Sequence, residues 1–251
     1  MTRALAAATL AALVLVTLAA APSRGDELAD LQGTLARFPG TDEVRATLEL
    51  QLSRRARDEN WSEHSRVSVE IEDSPRGLNV EFPRALARQA QQELHAQILD
   101  PDKRTPTYTA MQAVSLNEIA AILDCSATLA QDLPFATLLQ ATAGTYSGKP
   151  ARLLVLSITP RLSREARKHV KSAESKMSIW LGADGLPLGA ERTDRTRATF
   201  LLLSFENLRK QAWTFGRKGN RLVAVRHEVS DNASGLGQDF QSTTITTLTV
   251  H

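Results

Sequence analysis

The sequence predicts a mainly β protein of the α+β class. We expect a curved antiparallel sheet, or unclosed half-barrel, of about ten strands, with helices covering its concave face. Residues 176–229 are short β-type runs separated by Asp-Gly and Gly-Arg-Lys-Gly-Asn turns, which predict an antiparallel meander. Residues 44–52 alternate strictly between apolar and polar side chains, which is typical of a half-buried strand. Residues 84–133 instead follow a helical period.

The N-terminal segment has the pattern of a secretory signal peptide. A short positive region ends at Arg3, an uncharged apolar run covers residues 4–18, and Ala19, Ala20 and Ala21 supply small residues for cleavage. We therefore predict a signal peptide over residues 1–24, cut between residues 20 and 25. The apolar run is too short to favour a retained membrane anchor. Residues 25–251 are predicted to form one β-rich domain with a helical insert at about 84–133.

The first half of the domain divides into recognisable elements. A short helix is predicted over residues 27–38, followed by the strand at 44–52. Residues 67–71 and 78–82 alternate as two strands joined by a five-residue loop at 73–77. A helix is predicted from Pro83 to Leu99, then a linker to Pro106. A second helix is predicted at Ser115, where Ser115 and Glu118 fit a capping box.

The second half predicts strands with short connections. Residues 135–146 and 151–159 form a predicted hairpin, and residues 161–176 are polar and basic. Asp184 and Gly185 predict a two-residue hairpin turn. Further turns are expected at residues 216–219 and in a long loop at 232–237, before a final strand at 240–250.

Two segments resemble a known family. The segments are DLQGTLARF…VRATLELQ, within residues 30–51, and SIWLGADGLPLGAE, at residues 178–191. In these segments and in element order the chain resembles the periplasmic lipoprotein-carrier superfamily, the outer-membrane lipoprotein-sorting proteins and their relatives. The resemblance implies an unclosed curved sheet with helices on its concave face, enclosing a cavity that takes acyl chains. The chain departs from that pattern in its longer helical insert.

Two runs are apolar in both strand phases, at residues 153–158 and 200–205. Such strands either line a ligand cavity or pack against helices on one side and other structure on the opposite side. If a cavity exists, the predicted lining residues are Leu154, Leu156, Ile158, Trp180, Phe200, Leu202 and Trp213.

The sequence offers no catalytic, metal-binding or cofactor-binding motif. Cys125 lies in a helical apolar pattern and is predicted to be a buried apolar residue, and a lone cysteine excludes an internal disulfide. His227 lies in a strand and is predicted to be a structural histidine with its hydrogen bonds satisfied. The basic stretch from Arg161 to Lys171 is either a solvated connection or a patch for anionic headgroups or a partner protein.

Three functional hypotheses follow for an exported, periplasmic or secreted protein. The first is a non-enzymatic carrier of a lipid or acylated ligand. The second is a protein-interaction or regulatory module that uses the same sheet and would show an open sheet edge or an exposed apolar patch. The third is a hydrolase with a dispersed acid/base site. A net charge of +2 argues against a nucleic-acid partner, and the chain is not predicted to be an integral membrane protein.

Overall fold

The computed structural model of the protein describes residues 24–56, 61–200, 203–235 and 238–251. The predicted signal peptide lies outside these ranges except for its last residue, and so does Leu202. The strands are β1 (Val44–Ala56), β2 (Trp61–Ser74), β3 (Gly77–Glu81), β4 (Ala136–Tyr146), β5 (Lys149–Ile158), β6 (Val170–Leu181), β7 (Pro187–Phe200), β8 (Leu203–Lys218), β9 (Arg221–Gly235) and β10 (Gln238–Val250). The helices are α1 (Arg24–Ala36), α2 (Arg84–Leu99), α3 (Pro106–Gln112), α4 (Leu116–Leu123), α5 (Cys125–Asp132) and α6 (Ala166–His169), and a 3₁₀ turn covers Leu133–Phe135.

All ten described strands belong to one sheet. Their order is β3-β2-β1-β10-β9-β8-β7-β6-β5-β4, and every neighbouring pair is antiparallel. In the described residues no pairing joins β3 to β4, so the sheet is not closed into a barrel. The predicted fold class is confirmed, because the chain is mostly strand, with a few helices.

One face of the sheet carries the core. The apolar residues of β1 at alternate positions are all buried, from Val44 to Leu52, while the polar residues between them are more exposed. Directly opposed residues on neighbouring strands share a face. The register therefore defines one row on what we call the helix-covered face: Val67, Leu50, Thr246, His227, Trp213, Ala190, Ile179, Leu154 and Ala141.

The helices fill this face from several directions. Helix α3 packs on β2, α4 and α5 pack on β9, and α1 lies against β4 and α5. Leu31 and Leu35 of α1, Ile119 of α4 and Leu129 of α5 are buried in the same cluster as Leu48 of β1. Each buried side chain of this size contributes about 2 kcal/mol by leaving water.

The helical insert is more divided than the sequence predicts. Residues 84–133 hold four helices and not two, because α3 follows the predicted linker and α4 stops at Asp124. Glu93 of α2 stabilises the start of α3 by accepting hydrogen bonds from the Thr107 and Tyr108 amides at 2.8 and 3.2 Å. The predicted capping box is wrong, because the Ser115 side chain makes no capping bond.

Several turns are tighter than predicted. The β2–β3 ladder continues to the pair Ser74–Gly77, so the turn is Pro75–Arg76 and not residues 73–77. The β8–β9 turn is Gly219–Asn220 and not residues 216–219, with Gly219 at φ +56°. The predicted loop at 232–237 is strand up to Gly235. In each case the strand pairing continues into polar residues, where the sequence has no alternation of apolar and polar side chains to indicate a strand.

A buried arginine ties the β8–β9 turn to the start of the sheet. Arg221 is buried, its Nη1 lies 2.7 Å from Asp73 Oδ2, and its Nε donates to the Asp42 carbonyl. Beside it, the Asn220 amide donates to Asp42 Oδ2 at 2.8 Å, and the Asp42 amide donates to Asn220 Oδ1 at 3.0 Å. These contacts fix the α1–β1 connection against the meander.

Replacing this arginine tests the connection. Arg221→Met removes the cation, so Asp73 keeps a partly buried charge without a partner; we expect the free energy of unfolding to fall by about 3 kcal/mol. Arg45→Met is the matched control, because the Arg45–Glu72 pair at 2.9 Å lies in solvent; the expected loss there is under about 0.5 kcal/mol. Urea unfolding measures both. Equal losses in the two variants would contradict a special role of Arg221 in stabilising the α1–β1 connection.

Candidate functional site

Strand β4 is an exposed, uncharged edge of the sheet. Its eleven residues, ATLLQATAGTY, include no charged residue and no proline. Among the described strands only β5 pairs with it. Most of its side chains are exposed, including Leu139 at 45%. An edge strand of this kind presents unpaired backbone N–H and C=O groups to any extended segment that reaches it.

The opposite edge of the sheet is different. Strand β3 has five residues, contains Glu81, and is followed closely by Pro83. Short length, charge and proline are the features by which proteins prevent edge-to-edge pairing. The two edges therefore differ in their capacity to accept a further strand, and β4 is the permissive one.

A bulge divides β4 into two parts. The register with β5 shifts between Leu138 and Gln140, so Leu139 is the extra residue. From Gln140 to Tyr146 the pairing with β5 continues without interruption. This part of the strand is regular enough to template a neighbouring strand.

The C-terminal end of β4 is held by Tyr146. Its ring lies 5.5 Å from that of Trp180, and its hydroxyl is 3.1 Å from Thr214 Oγ1. The ring also covers Gly189, where an added Cβ would lie 2.2 Å from the tyrosine oxygen. Glycine at this position is therefore required for the close approach.

The N-terminal end of β4 is held by Phe135. The Thr159 amide donates to the Phe135 carbonyl at 2.9 Å, and the Arg161 guanidinium lies 4.7 Å from the centre of the Phe135 ring. This is a cation–π contact on a ring that is 38% exposed. Contacts at Phe135 and Tyr146 therefore hold both ends of β4 against the rest of the sheet.

A groove opens beside β4 on the helix-covered face. Its volume is about 480 Å³, and it lies between α1 and the ends of the β4–β5 and β6–β7 hairpins. Leu31, Ala143 and Leu181 supply apolar lining, and the ion pair between Glu27 and Arg152 lies at the same groove. Glu27 is buried, so this pair fixes α1 to the sheet.

The predicted cavity residues occupy different places. Leu154, Leu156 and Ile158 are buried in the core under the helices, and Trp213 lies on the same face. Trp180 pairs with Leu153 and Gly189, so it lies on the opposite face, against Tyr146. Phe200 ends β7, and Leu202 lies outside the described residues. A lipid cavity lined by this set stays a prediction.

His227 lies beside Trp213 on the helix-covered face. The two rings stack with centroids 4.9 Å apart and planes at 9°. The prediction of a satisfied histidine is wrong for one atom, because Nε2 is buried and has no hydrogen-bond partner among the described residues. Burial, aided by the charge of Arg209, lowers the pKa of His227 to about 4.

The other polar groups here are paired or buried. Arg192 donates to Asp132 at 2.8 Å and to Asp194 at 2.9 Å, which connects α5 to β7. Cys125 is buried as predicted, and burial, aided by Asp124, raises the pKa of its thiol. The described residues contain no group of three or more His, Cys, Asp or Glu side chains placed to hold a metal ion. None of the described helices is long and apolar enough to cross a membrane.

The lowered pKa of His227 predicts a pH-dependent stability. The unfolded chain protonates this ring near pH 6.5 and the folded chain only near pH 4. The stabilisation is therefore complete above pH 6.5 and is lost as the pH falls through this window. Between pH 7 and pH 4.5 we expect the wild type to lose about 2 kcal/mol more than His227→Gln. Urea unfolding at several pH values measures it, and parallel pH profiles would contradict it.

The comparisons with known proteins add little to this geometry. No family model and no curated protein matches the chain. Among solved structures, it is similar to a chain from the crystal structure of MucB in complex with MucA(peri). The identity is 11%, covering 90% of this chain and 94% of that one, with a TM-score of 0.16. A TM-score this low supports no argument, so the resemblance to lipoprotein carriers stays a prediction.

Proposed function

We propose that the chain is a non-enzymatic protein-interaction module of the periplasm, which binds an extended segment of another protein at β4. The periplasmic address rests on the predicted signal peptide. The observation that supports the interaction is the free, uncharged edge from Gln140 to Tyr146, fixed at both ends. Addition of a strand to such an edge is a recurrent mode of peptide recognition, in which backbone hydrogen bonds supply affinity.

The groove beside α1 gives this mode a source of selectivity. Alternate side chains of an added strand point to the helix-covered face. Ala143 belongs both to β4 and to the groove lining, so a side chain of the bound segment enters the groove next to it. Small or medium apolar side chains fit a space lined by Leu31 and Leu181.

The interaction is tested with a fluorescent eight-residue peptide of alternating Val and Thr, blocked at both ends. We expect it to bind and to slow amide hydrogen exchange in β4. Leu139→Lys with Thr142→Lys adds charge to the edge, and we expect affinity to fall at least about tenfold. Asn79→Lys on β3 is the control matched to Thr142→Lys alone, and we expect its affinity to be unchanged.

Three outcomes would overturn this proposal. The first is equal weakening by the β3 and β4 substitutions. The second is the absence of both binding and β4 protection at millimolar peptide. The third is a concentration-dependent dimer in sedimentation that the β4 substitutions abolish, because a second copy of the chain would then occupy the edge. Circular dichroism of each variant verifies that the sheet is intact.

The groove also supports a second candidate, the carrier of a lipid or acylated ligand. Its apolar lining beside α1 is a space that an acyl chain can enter. Under this hypothesis the protein purified from a periplasm carries a lipid of defined mass in native mass spectrometry, and Ala143→Trp, which fills the groove, removes it. A clean apo mass together with no binding of a fluorescent fatty acid would contradict the carrier. The hydrolase alternative stays a prediction.

A further inference from the structure

The surroundings of β4 are electrically asymmetric along the strand. Near its N-terminal end runs the β5–β6 connection, where residues 159–169 include four arginine and lysine side chains and one acidic side chain. The acidic one, Glu165, is paired with Lys168 at 2.8 Å. Near the C-terminal end, the exposed residues Lys149 and Asp30 have opposite charges, which offset each other. A positive potential is therefore concentrated at the N-terminal end.

Arg161 brings this charge to the start of the strand, and Arg164 lies close to it in the chain. Arg161 is held on the Phe135 ring directly before β4. Arg164 follows three residues later and is exposed, and neither makes an ion pair with an acidic residue in the part of the chain that the structure describes. The nearest acid of α5, Asp132, is already paired with Arg192.

The rest of the connection leads away from the edge. Helix α6 contacts β6 and β7 and carries Arg167, whose Nε donates to the Leu162 carbonyl at 3.1 Å. This hydrogen bond brings the Arg167 side chain back to Leu162, next to Arg161, so Arg167 belongs to the same basic cluster as Arg161 and Arg164.

We infer that the segment bound at β4 carries acidic residues at its carboxyl-terminal end. This inference rests on the proposed function and specifies its partner. Every pairing in the sheet is antiparallel, and an antiparallel segment places its C-terminal end beside the N-terminal end of β4. Acidic side chains there meet Arg161 and Arg164, while an apolar residue next to them meets the exposed Phe135 and Leu139. The charges set the direction of binding, and the backbone supplies the pairing.

Two peptides of identical composition test the direction. Both contain alternating Val and Thr with three Asp residues, placed at the C-terminal end in one and at the N-terminal end in the other. At 20 mM salt we expect the first to bind about tenfold more tightly, because only its charges reach the arginines in an antiparallel arrangement. At 0.5 M salt we expect the difference to shrink, because screening weakens exposed charge pairs.

Charge reversal identifies the residues. Arg161→Glu with Arg164→Glu is expected to abolish or invert the preference. Arg76→Glu is the control and should leave it unchanged, because Arg76 is exposed in the β2–β3 turn beside the opposite edge of the sheet. Since Arg161 also contacts Phe135, Arg164→Glu alone serves as the second variant and should reduce the preference. The uncharged Val/Thr peptide controls for the edge itself, and its affinity should be the same in all of these variants.

The outcomes separate this inference from the proposed function. Equal binding of both acidic peptides, or a preference for the N-terminal acids, overturns the inference and leaves strand addition intact. Failure of all three peptides to bind overturns the proposed function as well. Binding of phosphatidylglycerol vesicles that depends on Arg161 and Arg164, combined with no peptide preference, would assign the basic residues to an anionic lipid surface and overturn the inference.

Discussion

The pairing of β1 with β10 is the constraint on which the rest of the structure depends. It runs from Ala46–Val250 to Ala56–Phe240 and joins the two ends of the domain in the interior of the sheet. The β2–β3 hairpin pairs with β1, and strands β9 to β4 continue the sheet from β10. Residues about 200 positions apart must meet before this ladder forms, which costs loop-closure entropy and predicts slow folding. The Asp42–Asn220 and Arg221–Asp73 contacts reinforce the same junction.

This junction determines the path of the helical insert. Because β3 and β4 lie at opposite edges, the chain between them must cross the sheet from one edge to the other. It does so over the helix-covered face, through α3 on β2 and then α4 and α5 on β9. The insert thereby fills the space above the core strands, where Leu154 and Leu156 are fully buried. The crossing covers a face and leaves both edges without a further strand.

The free edge and the basic connection are related through the same topology. The insert ends at Phe135, directly before β4, and the β5–β6 connection returns to contact that residue through Thr159 and Arg161. Phe135, the residue directly before the free edge strand, therefore also holds the Arg161 guanidinium in place. Within the proposed function, one small cluster both holds the strand and gives it a polarity that an incoming segment can recognise.

The sequence by itself determined the elements that depend on neighbouring residues. The alternation of residues 44–52 specified β1. Asp184 with Gly185 marked the β6–β7 turn, in which the Leu186 amide donates to Asp184 at 3.1 Å, but the connection spans residues 182–186 and not two residues. Only the tertiary structure decided which strand is an edge, since a period of two assigns faces and not neighbours. The sequence shows that β4 has no charged residue, but only the strand order shows that β4 is an edge strand. The register between distant strands likewise places Trp180 and Trp213 on opposite faces of the sheet. It also brings His227 against Trp213, where the two rings stack.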